Sequence, residues 1–413
     1  MSAASTDELM APEARPATRP LRVLWVLVSF HPGGAERQTI ELIRRIDRTR
    51  YEPVVAVLQD EGPLRSRLPE DVRVIDVGLL MKQSSIPRWL SRLPGCGRLA
   101  RWLVFSHLLK REAIDVAYNR VYNLTLDLAW PAWWRGIPRI SVCVADQLAE
   151  IHRYARIHPW LSWHFARWSY RTADIVAANS RELREQVAAQ LQLPLQKIEV
   201  LVNGFDIGEL ETLSNEPIAA LSMATSSSVR PHWNILTIGW LNEGKGYLDL
   251  AAALDEVAKT HAGWEIEWHI IGTGPLAEPL RELARDFPAN LSLRLWGAIP
   301  NPFPFYRLAD LFVLPSHSEG SPNVLVEAMA IGCPVISTNC PCGPREILQE
   351  GEFGQLVDVG QPSQLRDAIT AFLASPDELR QKAVQAKSHV ADHYSIHTTT
   401  RRLEALFDRI SPQ

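Results

Sequence analysis

Two α/β units, each built on a parallel sheet, are the fold class this sequence predicts, and three observations predict it. The chain has 413 residues, too many for one ordinary core and suited to two domains. Short apolar runs alternate with amphipathic stretches along most of the chain, the pattern of strands joined by crossover helices. The charge also divides. Residues 1–202 hold 28 Lys and Arg against 21 Asp and Glu, a net of +7, and the remainder hold 15 against 26, a net of −11. Nine of the 14 Trp fall in the basic part, which therefore calls for a partner of its own.

Residues 1–20 are rich in Ala, Pro, Ser and Thr and are expected to be a disordered tail. RVLWVLVSF is the first buried strand. A secretory leader is a poorer reading of it, because LWVLVSF is short and HPGGAERQ follows instead of small residues at a cleavage site. HPGGAERQTIELIRRI then opens an amphipathic helix with Gly33 and Gly34. That pair either lets backbone approach a phosphate or simply makes a tight turn. EPVVAVL, DVRVIDV, IDVAYN, RISVCVA, DIVAAN and IEVLVN are the further strands of the first unit. Residues 21–203 form that unit, and 204–231, Ser-rich toward its end, form a connector. Residues 232–394 form the second unit, beginning with NILTIGW, and HTTTRRLEALFDRI is a terminal amphipathic helix.

The stretch organising the second unit runs from Ser316 to Gly332, SHSEGSPNVLVEAMAIG. ADLFVLP before it and CPVIST after it are strands. Ser321 is the expected helix cap, Pro322 the expected first helical residue and Gly332 the stop. A loop that opens a helix leaves N–H groups unpaired, and these together with the helix dipole favour an anion. Glu319 lies in that loop. Glu327 lies on the helix among Leu325, Val326, Ala328 and Met329, with no polar neighbour, which suits a functional carboxylate better than a solvated one.

EGSPNVLVEAMAIGCPVIST closely resembles the carboxylate-pair signature of retaining nucleotide-sugar glycosyltransferases of family 4. PN after the loop and NCPCGPREIL downstream resemble the branch that builds bacterial surface glycans from UDP-sugars. The resemblance spans Arg22 to about Tyr394 and is densest from Leu236 to Leu348. It implies the GT-B fold, two Rossmann-like domains facing across a cleft, with the terminal helix 395–413 packing back on the first. It gives Glu319 the donor-sugar hydroxyls and Glu327 the nucleotide ribose, and it places Gly320, Ser321, Pro322 and Asn323 at the donor. It also likens GGAE, at Gly33 and Gly34, to a donor-facing loop. Gly272 and Gly274 in IGTGP, and Gly297 to Ile299 in WGAIP, match segments near the nucleotide, although ordinary loop glycines fit there equally well.

Loss of a nucleoside diphosphate needs positive charge, from a metal ion or from protein cations and helix N-termini. No D-x-D pair is present, so the metal-free solution is expected, with no cofactor beyond the donor. Lys245, in EGKG between a strand and a helix, matches the family's diphosphate-binding lysine. Two departures stand out. Trp240 occupies the position of the usual arginine five residues before that lysine, so either another arginine such as Arg345 substitutes or phosphate stabilisation is weaker. Where many members carry a histidine after the strand matching RISVCVA, this chain reads ADQL, with Asp146 and Gln147. Asp146 is a candidate only. The family's retention of configuration is thought to need no protein base.

The stretches Val77–Arg111 and Ile151–Ala173 contain no acidic residue but hold 11 Lys or Arg, seven in the first and four in the second, interleaved with Trp. Basic and aromatic residues in such runs (82–111 and 151–171) suit an anionic membrane surface, while solvated helices with inward Trp suit them too. No nucleic-acid fold is suggested. No apolar run reaches transmembrane length, and the five cysteines, without metal-ligand spacing, fit reduced thiols. A cytoplasmic enzyme peripheral at the inner membrane face is therefore expected. It would use a nucleotide sugar, UDP-linked on the resemblance, and a lipid-linked or growing glycan acceptor. Two rivals remain open at this level: a non-catalytic nucleotide-sugar-binding subunit, favoured by Trp240 and the missing histidine, and an epimerase of similar fold.

Overall fold

The first unit is a seven-stranded parallel sheet in a computed structural model that describes residues 19–31, 33–83, 96–143, 159–218 and 231–411. Its strands are β1 (Leu21–Leu27), β2 (Tyr51–Val57), β3 (Arg73–Asp76), β4 (Val116–Asn119), β5 (Arg139–Cys143), β6 (Ile175–Ala178) and β7 (Ile198–Val200). Their order is β3-β2-β1-β4-β5-β6-β7. The second sheet is also parallel and runs β10-β9-β8-β11-β12-β13. It comprises β8 (His232–Ile238), β9 (Glu265–Ile271), β10 (Leu291–Gly297), β11 (Leu311–Leu314), β12 (Val335–Thr338) and β13 (Gln355–Val357). Helices cover both faces, so strands such as β1 and β11 are nearly continuous apolar runs rather than alternating ones. Asp146, the tail to residue 18 and residues 219–230 of the connector lie outside the described residues, as do Arg88, Arg92, Arg153 and Arg156.

Strand order reverses once in each sheet, between β1 and β4 and between β8 and β11. Loops leaving neighbouring strands at such a point diverge to opposite faces and open a crevice at the carboxyl ends of the strands. The chain crosses between the units twice, side by side. Phe205 N donates to Tyr394 O, and Ile396 N donates to Phe205 O, both at 2.8 Å. A Cβ on Gly204 would come within 2.8 Å of the Ile396 backbone, so the two crossings are pressed together.

After the second crossing the helix Ile396–Ile410 lies on the first sheet. Phe407, fully buried, makes edge or tilted ring contacts with Trp25, Tyr51 and Tyr118. Tyr51 Oη donates to Asp408 at 2.7 Å, and Glu404 accepts from Asp47 N at 2.8 Å.

The acid-free runs do form helices, Cys96–Arg111 and Pro159–Arg171. Their bases are not all free for a surface, which narrows the membrane expectation. Arg98 and Arg101 pair with Asp127 on the intervening helix Tyr122–Arg135, at 3.3 and 2.7 Å. Asp127 is buried, so these arginines compensate an interior carboxylate. Trp102, Trp130, Phe165 and Trp168 likewise pack among themselves. The exposed apolar side chains of these helices are Leu99, Leu103, Trp133, Trp134, Trp160 and Leu161.

Candidate functional site

In the second unit the crevice lies between the loop leaving β8, which carries Lys245, and the loop leaving β11, which carries Glu319. The loops touch because Gly246 has no side chain. Its φ of +65° is left-handed, and a Cβ there would lie 1.9 Å from the Pro315 carbonyl oxygen. His317 N adds a hydrogen bond to Gly244 O at 2.9 Å. This contact brings two side chains 74 residues apart into an ion pair, with Lys245 Nζ 2.7 Å from Glu319 Oε1. Ser316 Oγ donates to the same oxygen at 2.6 Å. Glu319 is 8% exposed, whereas the lysine keeps part of its side chain open to the crevice. A cation and an oriented carboxylate side by side suit a ligand that carries both hydroxyls and a phosphate.

Glu327 projects from the helix Asn323–Ile331 and is partly buried. Tyr306 Oη donates to its Oε2 at 3.0 Å. Burial raises its pKa, and the Tyr306 hydrogen bond and the positive charge of Arg37 pull it back. Arg37 belongs to the first unit, on the helix Gly34–Arg45, so the two units share this region. The Cβ position of Gly34 is 3.7 Å from Asn323 Nδ2, which sets the first turns of the two helices against each other.

The expected cap is corrected. The helix begins at Asn323, and Pro322 occupies the cap position in an extended conformation (φ −71°, ψ 96°) with no side-chain cap. Ser321 thus stands outside the helix. The loop Cys340–Gly343 packs on this turn, as a Cβ at Gly343 would be 2.7 Å from Pro322 Cδ. Gly320 and Ser321 are half-buried there.

Gly272 and Gly274 have φ of +142° and +155°, and a Cβ on either would strike the backbone of Gly239 or Leu241. Close packing of the loops after β8 and β9 therefore already requires them. Gly297 is left-handed with open space around it, and Ile299 packs at the edge of the apolar cluster holding Leu325 and Met329. Trp240 is 56% exposed at the rim of the β8 loop. Arg345 is engaged elsewhere, donating to Asn339 at 3.1 Å and pairing with Glu350 at 2.7 Å. Gly33 is half-buried, with the Glu36 carboxylate folded over it.

Sequence reasoning missed Ser316, Tyr306 and Arg37. Ser316 stands three residues before Glu319, a spacing that a loop can close. Nothing in the pattern around Tyr306, an aromatic among aromatics, marks it out.

The sequence profile described as Glycosyltransferase Family 4 matches residues 32–209, and that described as Glycosyl transferases group 1 matches residues 233–375. The lipopolysaccharide core biosynthesis glycosyltransferase LpsE of Rhizobium meliloti is 30% identical over 344 residues, 83% of this chain and 86% of that protein. A Campylobacter jejuni N-acetylgalactosamine-N,N'-diacetylbacillosaminyl-diphospho-undecaprenol 4-alpha-N-acetylgalactosaminyltransferase is 28% identical over 212 residues, 51% of this chain and 54% of that protein. Against several curated relatives the chain matches only about half of their length. Among solved structures, Anabaena HepE in complex with UDP superposes with a TM-score of 0.73 at 18% identity, covering 94% of this chain and 100% of that one.

Proposed function

The chain belongs to the group 1, family 4 glycosyltransferases, and from that footing we propose that it transfers a sugar from a UDP-sugar to a lipid-linked or growing surface glycan, with retention and without a metal. The observation that carries the reading is the Lys245–Glu319 pair at the strand-order reversal of the second sheet, with Glu327 on the helix that follows. Glu319 holds donor-sugar hydroxyls and Glu327 the ribose. Lys245 and the first turn of the helix Asn323–Ile331 face the diphosphate. The bond between the anomeric carbon and the phosphate oxygen breaks, and the acceptor oxygen bonds to that carbon on the same face. The acceptor's proton passes to the departing phosphate oxygen, which needs no protein base. The UDP named for HepE and the diphospho-undecaprenol substrate named for the Campylobacter enzyme support this choice of donor and acceptor class.

The deciding experiment measures UDP release from a panel of UDP-sugars with a membrane lipid extract as acceptor. One donor is expected to give acceptor-dependent release that EDTA leaves unchanged. Release with no acceptor dependence for any donor sinks the transfer reading. Loss with EDTA and recovery with a divalent ion sinks the metal-free part.

The membrane contact belongs to the same proposal, through a surface that keeps Trp160 and Leu161 of the second expected run, adds Trp133 and Trp134 and does without Arg98 and Arg101. No helix among the described residues is long and apolar enough to cross a membrane. Trp133, Trp134, Trp160 and Leu161, each more than half exposed, instead offer rings and an aliphatic side chain at headgroup depth. Arg98 and Arg101 hold Asp127, so replacing them tests stability rather than binding. Changing Trp133, Trp134 and Trp160 together to Ser is expected to release the protein from anionic vesicles while UDP binding persists. Co-sedimentation equal to wild type would assign these tryptophans to another role.

A further inference from the structure

The crevice of the first unit holds a group of polar side chains that the two carboxylates do not account for. Arg120 directly follows β4, beside the strand-order reversal, and is 3% exposed. Its Nη1 donates to Tyr118 Oη at 3.2 Å and its Nη2 to Asn203 Oδ1 at 2.5 Å. Asn203 lies at the start of the first crossing between the units and is 8% exposed. Its Nδ2 donates to Asn323 Oδ1 at 2.7 Å, and Asn323 is the first residue of the helix that carries Glu327. Glu36, on the helix after β1, completes the group. Burial raises its pKa, and a backbone hydrogen bond and the positive charge of Arg120 pull it back, so Glu36 lies within range of that charge.

A guanidinium withdrawn from water is costly unless hydrogen bonds and a balancing charge offset the loss. Here Tyr118 and Asn203 accept from it, and Glu36 supplies negative charge nearby. The amide at 203 is suited to its place, because it accepts from a guanidinium with one atom and donates onward with another. The hydrogen bonds therefore run in one direction, from the acceptor-side crevice through the crossing to the donor-side helix. We propose that Arg120 and Asn203 are positioning residues whose relay to Asn323 holds the signature helix in register with the first-unit crevice during transfer. This rests on the reading that transfer takes place between the two units.

The test compares Asn203→Leu with Asn203→Asp in the full chain, with Arg120→Met as a third variant. Leucine has similar volume but breaks both hydrogen bonds. Aspartate accepts from Arg120, and the Asn323 amide, turned over, donates to it. Asn203→Leu and Arg120→Met are each expected to lower kcat tenfold or more, with UDP Kd from calorimetry within threefold of wild type. Asn203→Asp is expected to keep kcat within threefold. The double variant Arg120→Met/Asn203→Leu should be no slower than the slower single, as for residues acting as one unit. An unchanged kcat in Asn203→Leu, an equal loss in Asn203→Asp, or a double variant at the product of the singles overturns the relay. Arg120→Met removes a buried charge and can fail to fold; the Asn203 pair then decides alone. If wild type binds UDP-sugars but transfers nothing, the transfer reading fails separately. The relay is then judged by UDP-induced compaction in X-ray scattering, which Asn203→Leu must abolish and Asn203→Asp preserve. A wild type that binds no nucleotide sugar sinks both.

Discussion

Lys245→Ala is expected to lower turnover about a hundredfold or more, the usual cost of removing one preorganised electrostatic donor from a transition state. Negative charge on the departing diphosphate grows as the glycosidic bond breaks, so the lysine contributes more in the transition state than in the bound donor. Donor affinity should therefore fall by a smaller factor than kcat. The same substitution strips Glu319 of its cation and leaves Ser316 as its remaining side-chain partner. Hold on the sugar should loosen as a secondary effect, seen as a raised KM for the UDP-sugar but not as weaker binding of UDP itself. On the proposed reading, Trp240 in place of the arginine usual in the family should leave this chain more dependent on the lysine than a member with both. Steady-state kinetics with the donor found in the panel check this. A kcat within threefold of wild type would remove Lys245 from the chemistry.

Phe407→Ala is expected to destabilise the protein by about 3–5 kcal/mol, the range for deleting a buried phenyl ring. The ring is fully buried and meets three aromatic partners, Trp25, Tyr51 and Tyr118, on two strands and at the end of a third. Little around it can collapse, because those partners belong to the sheet itself. The helix Ile396–Ile410 is the last element of the chain yet fills the core of the first unit, so the loss should appear in the first unit's unfolding. Denaturant unfolding followed by Trp fluorescence, with limited proteolysis of the terminal helix, measures it. A loss below about 1 kcal/mol would mean that the helix docks by its polar contacts to Asp47, Arg50 and Tyr51 instead.

Fold and site differed in how far the sequence exposed them. Apolar runs such as RVLWVLVSF and ADLFVLP marked strands because a parallel sheet covered on both faces buries every residue of a strand. Their boundaries shifted by up to three residues where turns took over. Lys245, Glu319 and Glu327 were each legible from turn and helix signals joined to a family resemblance. Their mutual geometry was not. A pattern along the chain carries no information about which loops meet, and the meeting here depends on a missing Cβ at Gly246.

The acid-free runs show the limit most clearly. Composition alone made them a basic aromatic face. Asp127, in the helix between the two runs, turned Arg98 and Arg101 inward, and that pairing cannot be read from the runs themselves. Trp133 and Trp134 lie outside both runs and proved more exposed than Trp102 of the helix Cys96–Arg111, although Trp160 in the second run is more exposed still.

By itself, then, the sequence determined two parallel α/β units, the helix that bears Glu327 and the identity of the charged groups, because these follow from local periodicity, turn chemistry and side-chain type. Tertiary structure alone decided that Lys245 neutralises Glu319, that Tyr306 holds Glu327 and that Arg120 reaches Asn323 through Asn203. Each of those contacts joins residues brought together by strand order and by the paired crossings. Such placement is set by how whole elements pack, a balance over many residues that no short stretch of the chain contains.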